Sequence, residues 1–305
     1  MSPRPTIAVL MACHNRRAKT LACLASLARQ DAVADLHPIV FDDGSSDGTA
    51  DAVRTVFPDA EILLGDGQTF WAGGMRAAFG HAMRRGYDFY LWLNDDVVLE
   101  PGAIGRLLAT HATLPALKSS LSLIGGAVRD PISGQPAYGG IAIGSRFNPL
   151  RFVRVAPDPR NVRICNTLNG NVVLVPRATA QAIGGIGAAY LHTLGDLDYG
   201  LRVKRTGGWV GLAPGYVGTC APNRLGARWL NPDLPLGARW RLVASPLGLP
   251  LRPWLQFARS HGGAFWPAFA VLAYWRLFVP TALARVLTRR RELRAEERRI
   301  DAASV

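Results

Sequence analysis

The stretch Leu91-Trp92-Leu93-Asn94-Asp95-Asp96-Val97 is an apolar β-type run that ends abruptly in two adjacent carboxylates. Such a run reads as a buried strand delivering its acids to a sheet edge. Two like charges side by side repel, so the pair calls for a cation or a large polar ligand. Asp42-Asp43-Gly44 repeats the arrangement upstream, behind Pro38-Ile39-Val40-Phe41. Two acidic strand ends in one chain point to a site for a divalent cation, Mg2+ or Mn2+, and an anionic, nucleotide-bearing substrate.

Each motif has a plainer competitor. Asp43-Gly44-Ser45-Ser46-Asp47-Gly48-Thr49 is also good chemistry for an ordinary strand-to-helix turn. A calcium loop fails, because Arg54 stands where the bidentate glutamate belongs. Asn94-Asp95-Asp96 is stronger: Val97-Val98-Leu99 follows it, so helix capping does not explain the acids. A third acidic pair lies in Gly195-Asp196-Leu197-Asp198. Asp198 and Arg202 stand at i and i+4, the spacing of an intrahelical ion pair, which gives Asp198 a structural reading. Asp196, at the expected helix start, is freer to face a cleft, although the helix dipole favours a carboxylate there in any case. In Gly67-Gln68-Thr69-Phe70-Trp71-Ala72-Gly73-Gly74 the glycines allow close backbone approach, with Arg76 in reach of a phosphate; a helix-opening loop is the competing reading. Plain turn chemistry competes likewise at Asn169-Gly170-Asn171.

The elements that must position these residues alternate. Strands are expected at Thr6–Met11, Pro38–Phe41, Glu61–Leu64, Phe89–Leu93 and Ser122–Val128. Helices are expected at Lys19–Ala28, Thr49–Val56, Met75–Arg85 and Ala103–His111. That alternation predicts a mainly parallel sheet covered on both faces, with ligands beyond the carboxyl ends of its strands. Arg129 to Arg163 reads as loops and an irregular hairpin. Asn171–Val175 then reads as a strand, Arg177–Ile183 and Asp196–Arg205 as helices, and Trp209–Ala213 as the last core strand.

The 305 residues, 49% of them hydrophobic, exclude wholesale disorder and leave room for one α/β domain with an appendage. A net charge of +13 predicts attraction to polyanions. Cys13, Cys23, Cys165 and Cys220 show no metal-like spacing, and Ile7 to Met11 is too short for a signal peptide, so a reducing, cytoplasmic setting is expected. After about Cys220 the chain turns dense in Arg, Trp, Pro and Leu, which divides it into 1–222 and a helical extension, 223–305. Ala264–Val279 is apolar but interrupted by Pro267 and Arg276. It is short of the ~20 residues of a membrane span. Two readings stand for it: a helix lying in the plane of an anionic membrane surface, with the protein peripheral on the inner face, or a helical subdomain packing its tryptophans on the core. The tail lacks a nucleic-acid-binding signature, so no nucleic-acid partner is expected.

From Thr6 to Cys220 the chain resembles family 2 glycosyltransferases of the GT-A fold, most closely the bacterial rhamnosyltransferase-like branch. The features that carry the resemblance are Val9-Leu10-Met11-Ala12-Cys13-His14-Asn15, then Asp42 through Thr49. Asn94-Asp95-Asp96 follows in the place of the DxD motif, and Gly195-Asp196-Leu197-Asp198 with Arg202 in the place of the late acidic motif. The resemblance implies an inverting transfer from a nucleotide-sugar donor to a glycan or lipid-linked acceptor, in cell-surface polysaccharide synthesis. It implies donor contacts from Ala12, Asp43, Gly73, Arg76, Asn94 and Asp95, and a divalent cation on Asp96. Asp196 becomes the general base, with Asn169, Gly170, Asn171 and Asp198 on the acceptor side. Two departures stand out: Asn94 replaces the first acid of the DxD motif, and Gly218-Thr219-Cys220 stands where many members carry a histidine, with His192 as a substitute. A sugar nucleotidyltransferase is the alternative enzyme, but Ala12-Cys13-His14-Asn15-Arg16-Arg17 is not its Gly-rich loop. A non-catalytic, basic membrane- or nucleic-acid-binding protein is the alternative from another class.

Overall fold

The computed structural model describes residues 3–113, 121–223, 228–231 and 233–278. The chain divides into two compact units, Met1–Pro222 and Asn223–Val305.

The first unit is an α/β domain. Its elements begin β1 (Thr6–Cys13), α1 (Arg17–Ala28), β2 (Asp35–Asp42), α2 (Thr49–Val56), β3 (Glu61–Leu64), α3 (Phe70–Arg85), β4 (Phe89–Leu93), β5 (Val98–Leu99), α4 (Ala103–Thr113) and β6 (Ser122–Arg129). They continue with β7 (Pro136–Tyr138), β8 (Gly140–Ile143), β9 (Phe152–Val155), β10 (Arg163–Ile164), β11 (Thr167–Leu168), β12 (Val172–Pro176), α5 (Arg177–Ile183), α6 (Gly195–Arg205) and β13 (Trp209–Thr219). The main sheet runs β10-β13-β6-β12-β4-β1-β2-β3. The pairs β1/β2, β1/β4, β2/β3 and β13/β6 are parallel, while β12 runs antiparallel to both β4 and β6. One reversed strand therefore starts where its parallel neighbours end: Val172 pairs with Leu93, and the Asn94 amide donates to the Asn171 carbonyl at 2.9 Å. The β8–β9 hairpin, with β11, forms a separate three-stranded sheet in the segment expected to be irregular.

Strands β1 and β4 are apolar almost throughout because helices cover both faces of the sheet. Ile7, Val9, Leu91 and Leu93 belong to one large core with Ile124 and Leu174. On one face Phe79, Tyr90, Trp92 and Tyr199 form an aromatic cluster, Trp92 and Tyr199 meeting edge-on at 5.0 Å. Each such pair adds about 0.5–1.5 kcal/mol beyond area burial.

Several elements outrun their expected bounds, α3 and β13 furthest. Helix α3 starts at Phe70 rather than Met75, so Gly73 and Gly74 lie within it. A Cβ on Gly74 would meet Phe41 at 2.8 Å and Ala12 at 3.1 Å; the glycine lets the helix lie directly on β1 and β2. Strand β13 continues past Ala213 to Thr219, its register with β6 shifting across Pro214 and Gly215 (φ 64°) before it resumes against β6 and β5. A positive φ at glycine absorbs the kink without strain.

The second unit holds α7 (Leu236–Ala244), α8 (Leu251–His261) and α9 (Trp266–Trp275) around a small core of Trp229, Val243 and Leu277. Trp229 and Trp254 are buried among residues of their own unit. The expected end of the apolar run, Val279 and Pro280, lies outside the described residues.

Candidate active site

The candidate site forms where β1, β2 and β4 end, β12 begins and α6 begins. Asp95 is buried and Asp96 half-buried, and both meet one cation: Arg16 Nη1 donates to Asp95 Oδ1 at 2.9 Å and to Asp96 Oδ2 at 2.9 Å. Burial pushes the Asp95 carboxyl from 3.8 up to about 6, with Asp96 adding to the shift and Arg16 opposing it. Asp96 Oδ1 accepts from the Cys220 thiol at 3.4 Å, and Asn171 Nδ2 donates to that sulfur at 3.7 Å. Burial first, and then Asp96, raises the Cys220 pKa, so Cys220 is a protonated thiol that donates. His192 is held below its ordinary value by burial and by the charge of Arg16.

Asn94 does not turn toward the acids as a third ligand. Its Oδ1 accepts from Trp71 Nε1 at 2.7 Å. The indole edge of Trp71 in turn covers Gly170, where a Cβ would lie 2.5 Å from the ring and 3.2 Å from Asp196 Cβ. Asp196 Oδ2 accepts from the Gly170 amide at 2.9 Å, and Oδ1 from the Leu197 amide at 2.8 Å. Burial raises the Asp196 pKa against these amide bonds. The last turn before α6 is made by Leu194, at φ 72°. Asn94, Trp71, Gly170 and Asp196 thus form one continuous wall.

Several residues expected on the donor or acceptor side also hold the frame together. Asp43 Oδ1 accepts from the amides of Gly67 (3.0 Å) and Thr69 (3.2 Å), and Oδ2 from those of Thr69 (3.0 Å) and Phe70 (2.8 Å). It pins the loop that launches α3, and hence Trp71. The α3 amides of Ala72 and Gly73 donate to the Leu191 carbonyl at 2.7 and 3.2 Å, so this helix start already has an acceptor. Arg76 donates to the carbonyls of Gly187 and Tyr190 at 3.3 and 3.1 Å. Asp198 accepts from Arg202 Nε at 2.8 Å and from Tyr190 OH at 3.3 Å, the structural role its spacing predicted. The Asn169 amide donates to the Gly139 carbonyl at 2.9 Å.

Arg16 is a site residue that no sequence motif singled out. The signal for Arg16 was its position behind β1, which lies between the two strands that carry the acids.

The acids suit a hard divalent cation. Asp95 Oδ2 is buried without a hydrogen-bond partner, and carboxylate oxygen is the preferred ligand of Mg2+ or Mn2+. Among the described residues no group of three His, Cys, Asp or Glu side chains is arranged to hold an ion alone. The geometry therefore fits an ion held jointly by protein carboxylate and substrate phosphate, the usual mode for Mg2+.

The sequence model of Glycosyl transferase family 2 matches residues 8–121. An N-acetylglucosaminyltransferase of Mesorhizobium japonicum is 36% identical over 112 residues, which is 34% of this chain and 25% of the relative. The chain thus spans about a quarter of that relative's length. The fold is GT-A-like: it matches a mannosyltransferase, PcManGT, from Pyrobaculum calidifontis, in complex with GDP-Man and Mn2+. The TM-score is 0.53 at 18% identity, covering 93% of this chain and 72% of that one.

Proposed function

From a chain whose residues 8–121 belong to glycosyl transferase family 2, we propose a nucleotide-sugar-dependent glycosyltransferase acting on a hydroxyl of a glycan or lipid-linked acceptor. The observation that carries the reading is the wall from Asn94 through Trp71 and Gly170 to Asp196, which brings a metal-type acid pair and a half-buried carboxylate to one sheet edge. The N-acetylglucosaminyl and mannosyl activities of the relatives support a hexosyl donor, and the GDP-Man and Mn2+ of the solved structure support a nucleotide diphosphate with a divalent cation. Cell-surface polysaccharide synthesis is the setting we assign. Four unpaired cysteines support the cytoplasmic side.

Transfer is a single displacement with inversion. Asp196 takes the proton from the acceptor hydroxyl as its oxygen bonds to the anomeric carbon and the bond to the diphosphate breaks. Its raised pKa makes it a stronger base than an exposed aspartate. The Gly170 and Leu197 amides keep the carboxylate aimed. Asp96, with Asp95 beside it, would hold a divalent cation, which when bound supplies Lewis-acid stabilisation of the leaving diphosphate. Trp71 engages Asn94 Oδ1, so a cation here would rest on the carboxylates, of which Asp95 Oδ2 is the oxygen with no hydrogen-bond partner.

Asp196→Asn is the test. Turnover should fall by about 10²–10⁴-fold, while the nucleotide-sugar still raises the melting temperature. Unchanged transfer by this variant removes Asp196 from the mechanism.

A further inference from the structure

From Leu234 to Phe278 the chain contains no aspartate or glutamate and five arginines. Arg239 is buried, donating to the carbonyls of Trp229 (3.0 Å) and Arg276 (2.9 Å), whereas Arg241, Arg252 and Arg259 are exposed. The helices beside them expose apolar side chains in register. On α8, Leu251 and Leu255 stand one turn apart on the surface, next to Arg252 and Arg259. On α9, Pro267, Ala268, Val271, Leu272 and Trp275 are all exposed, at the i, i+1, i+4, i+5, i+8 spacing of one helix face. Val271 is 69% exposed, Leu272 54% and Trp275 63%.

This face is fixed outward. The opposite side of α9 is locked into its unit: Trp254 Nε1 donates to the Ala270 carbonyl at 3.0 Å, Tyr274 OH donates to the Leu249 carbonyl at 2.7 Å, and Leu277 sits in the core with Trp229 and Val243. A helix that is apolar on all sides is stable only when its outer side is also taken out of water. Ten residues rise about 15 Å, half a hydrocarbon core of ~30 Å. Among the described residues no helix is long and apolar enough to cross a membrane.

We propose that the C-terminal unit docks on an anionic lipid surface, with α9 in the plane of the interface. Val271, Leu272 and Trp275 enter the acyl boundary, and Arg241, Arg252 and Arg259 meet headgroup phosphates. Charge complementarity selects this occupant: 45 residues without a carboxylate repel an acidic surface nowhere. The proposal uses no residue of the sugar-transfer site, so either reading can fail without the other.

Flotation of the full-length protein with phosphatidylcholine vesicles, with and without phosphatidylglycerol, tests it. The protein should float with the anionic vesicles, and the bound fraction should fall as salt rises. V271E/L272E should lower partitioning by about tenfold or more. Each of R252Q and R259Q should lower it by about fivefold at low salt. Far-UV circular dichroism and melting should be unchanged, because these side chains are exposed. Absence of flotation, or equal binding to both vesicle types, overturns the proposal. In that event self-association lost in V271E/L272E would give the face to a second copy, and oligonucleotide binding lost in R252Q/R259Q would give the arginines to nucleic acid.

Discussion

Arg16 and Asp95 form an ion pair 2.9 Å long between residues 79 positions apart, the guanidinium 41% exposed and the carboxylate 6%. The same Nη1 reaches Asp96 at 2.9 Å, so a single cation offsets two adjacent acids. Arg16→Gln leaves the acids facing each other uncompensated. The acid limb of the transfer rate should move up by about one pH unit, read from a pH–rate profile. Mn2+, followed by electron paramagnetic resonance without nucleotide, should bind the variant more tightly, because it no longer competes with a guanidinium.

Asp95 also sets a pH dependence of stability. Its folded pKa, about 6, lies above the ordinary 3.8, so the folded state binds this proton more tightly than the unfolded chain does. The contribution is fully present below about pH 4 and is lost as pH rises through about 6. Its size is of the order of 2–3 kcal/mol at ~1.4 kcal/mol per pH unit. Asp95→Asn should flatten urea-measured stability across that window.

Gly170→Ala should disable the wall. The added methyl lies 2.5 Å from the Trp71 ring, which must swing away and release Asn94 Oδ1. Turnover should fall by about 10²-fold, with a change in tryptophan fluorescence. An active variant with an unchanged spectrum would show that Trp71 is not held as described.

Tyr199→Phe should be neutral or stabilising. The Tyr199 hydroxyl is buried with no hydrogen-bond partner, a state that costs about 1–3 kcal/mol. The phenylalanine ring keeps the edge contact with Trp92 and the Arg202 guanidinium over its face. Denaturation midpoints decide this; a loss above about 1 kcal/mol would mean the hydroxyl has a partner.

Periodicity and turn chemistry alone determined the order of the longer strands and helices from β1 to β13, though not the short strands β5, β7, β10 and β11. Strand Phe89–Leu93 and helix Thr49–Val56 were readable to their ends, because an apolar run closed by acids and a Gly-capped helix start are local signals. The i, i+4 pairing of Asp198 with Arg202 was likewise local, and it is present. The start of α3 was not readable: Gly73 and Gly74 look like loop residues until Phe41 and Ala12 press against the helix.

The roles of the acids needed the tertiary structure. Asp43 and Asp95 look alike in sequence, each behind a strand, yet Asp43 receives the amides of Gly67, Thr69 and Phe70 whereas Asp95 keeps one oxygen without a donor. Arg76 faces carbonyls more than 100 positions away, and Arg16 faces the acids across β1 and β4. A carboxylate binds a ligand or holds a loop according to which donors the fold brings within 3 Å. Those donors come from distant chain, and no local pattern records them.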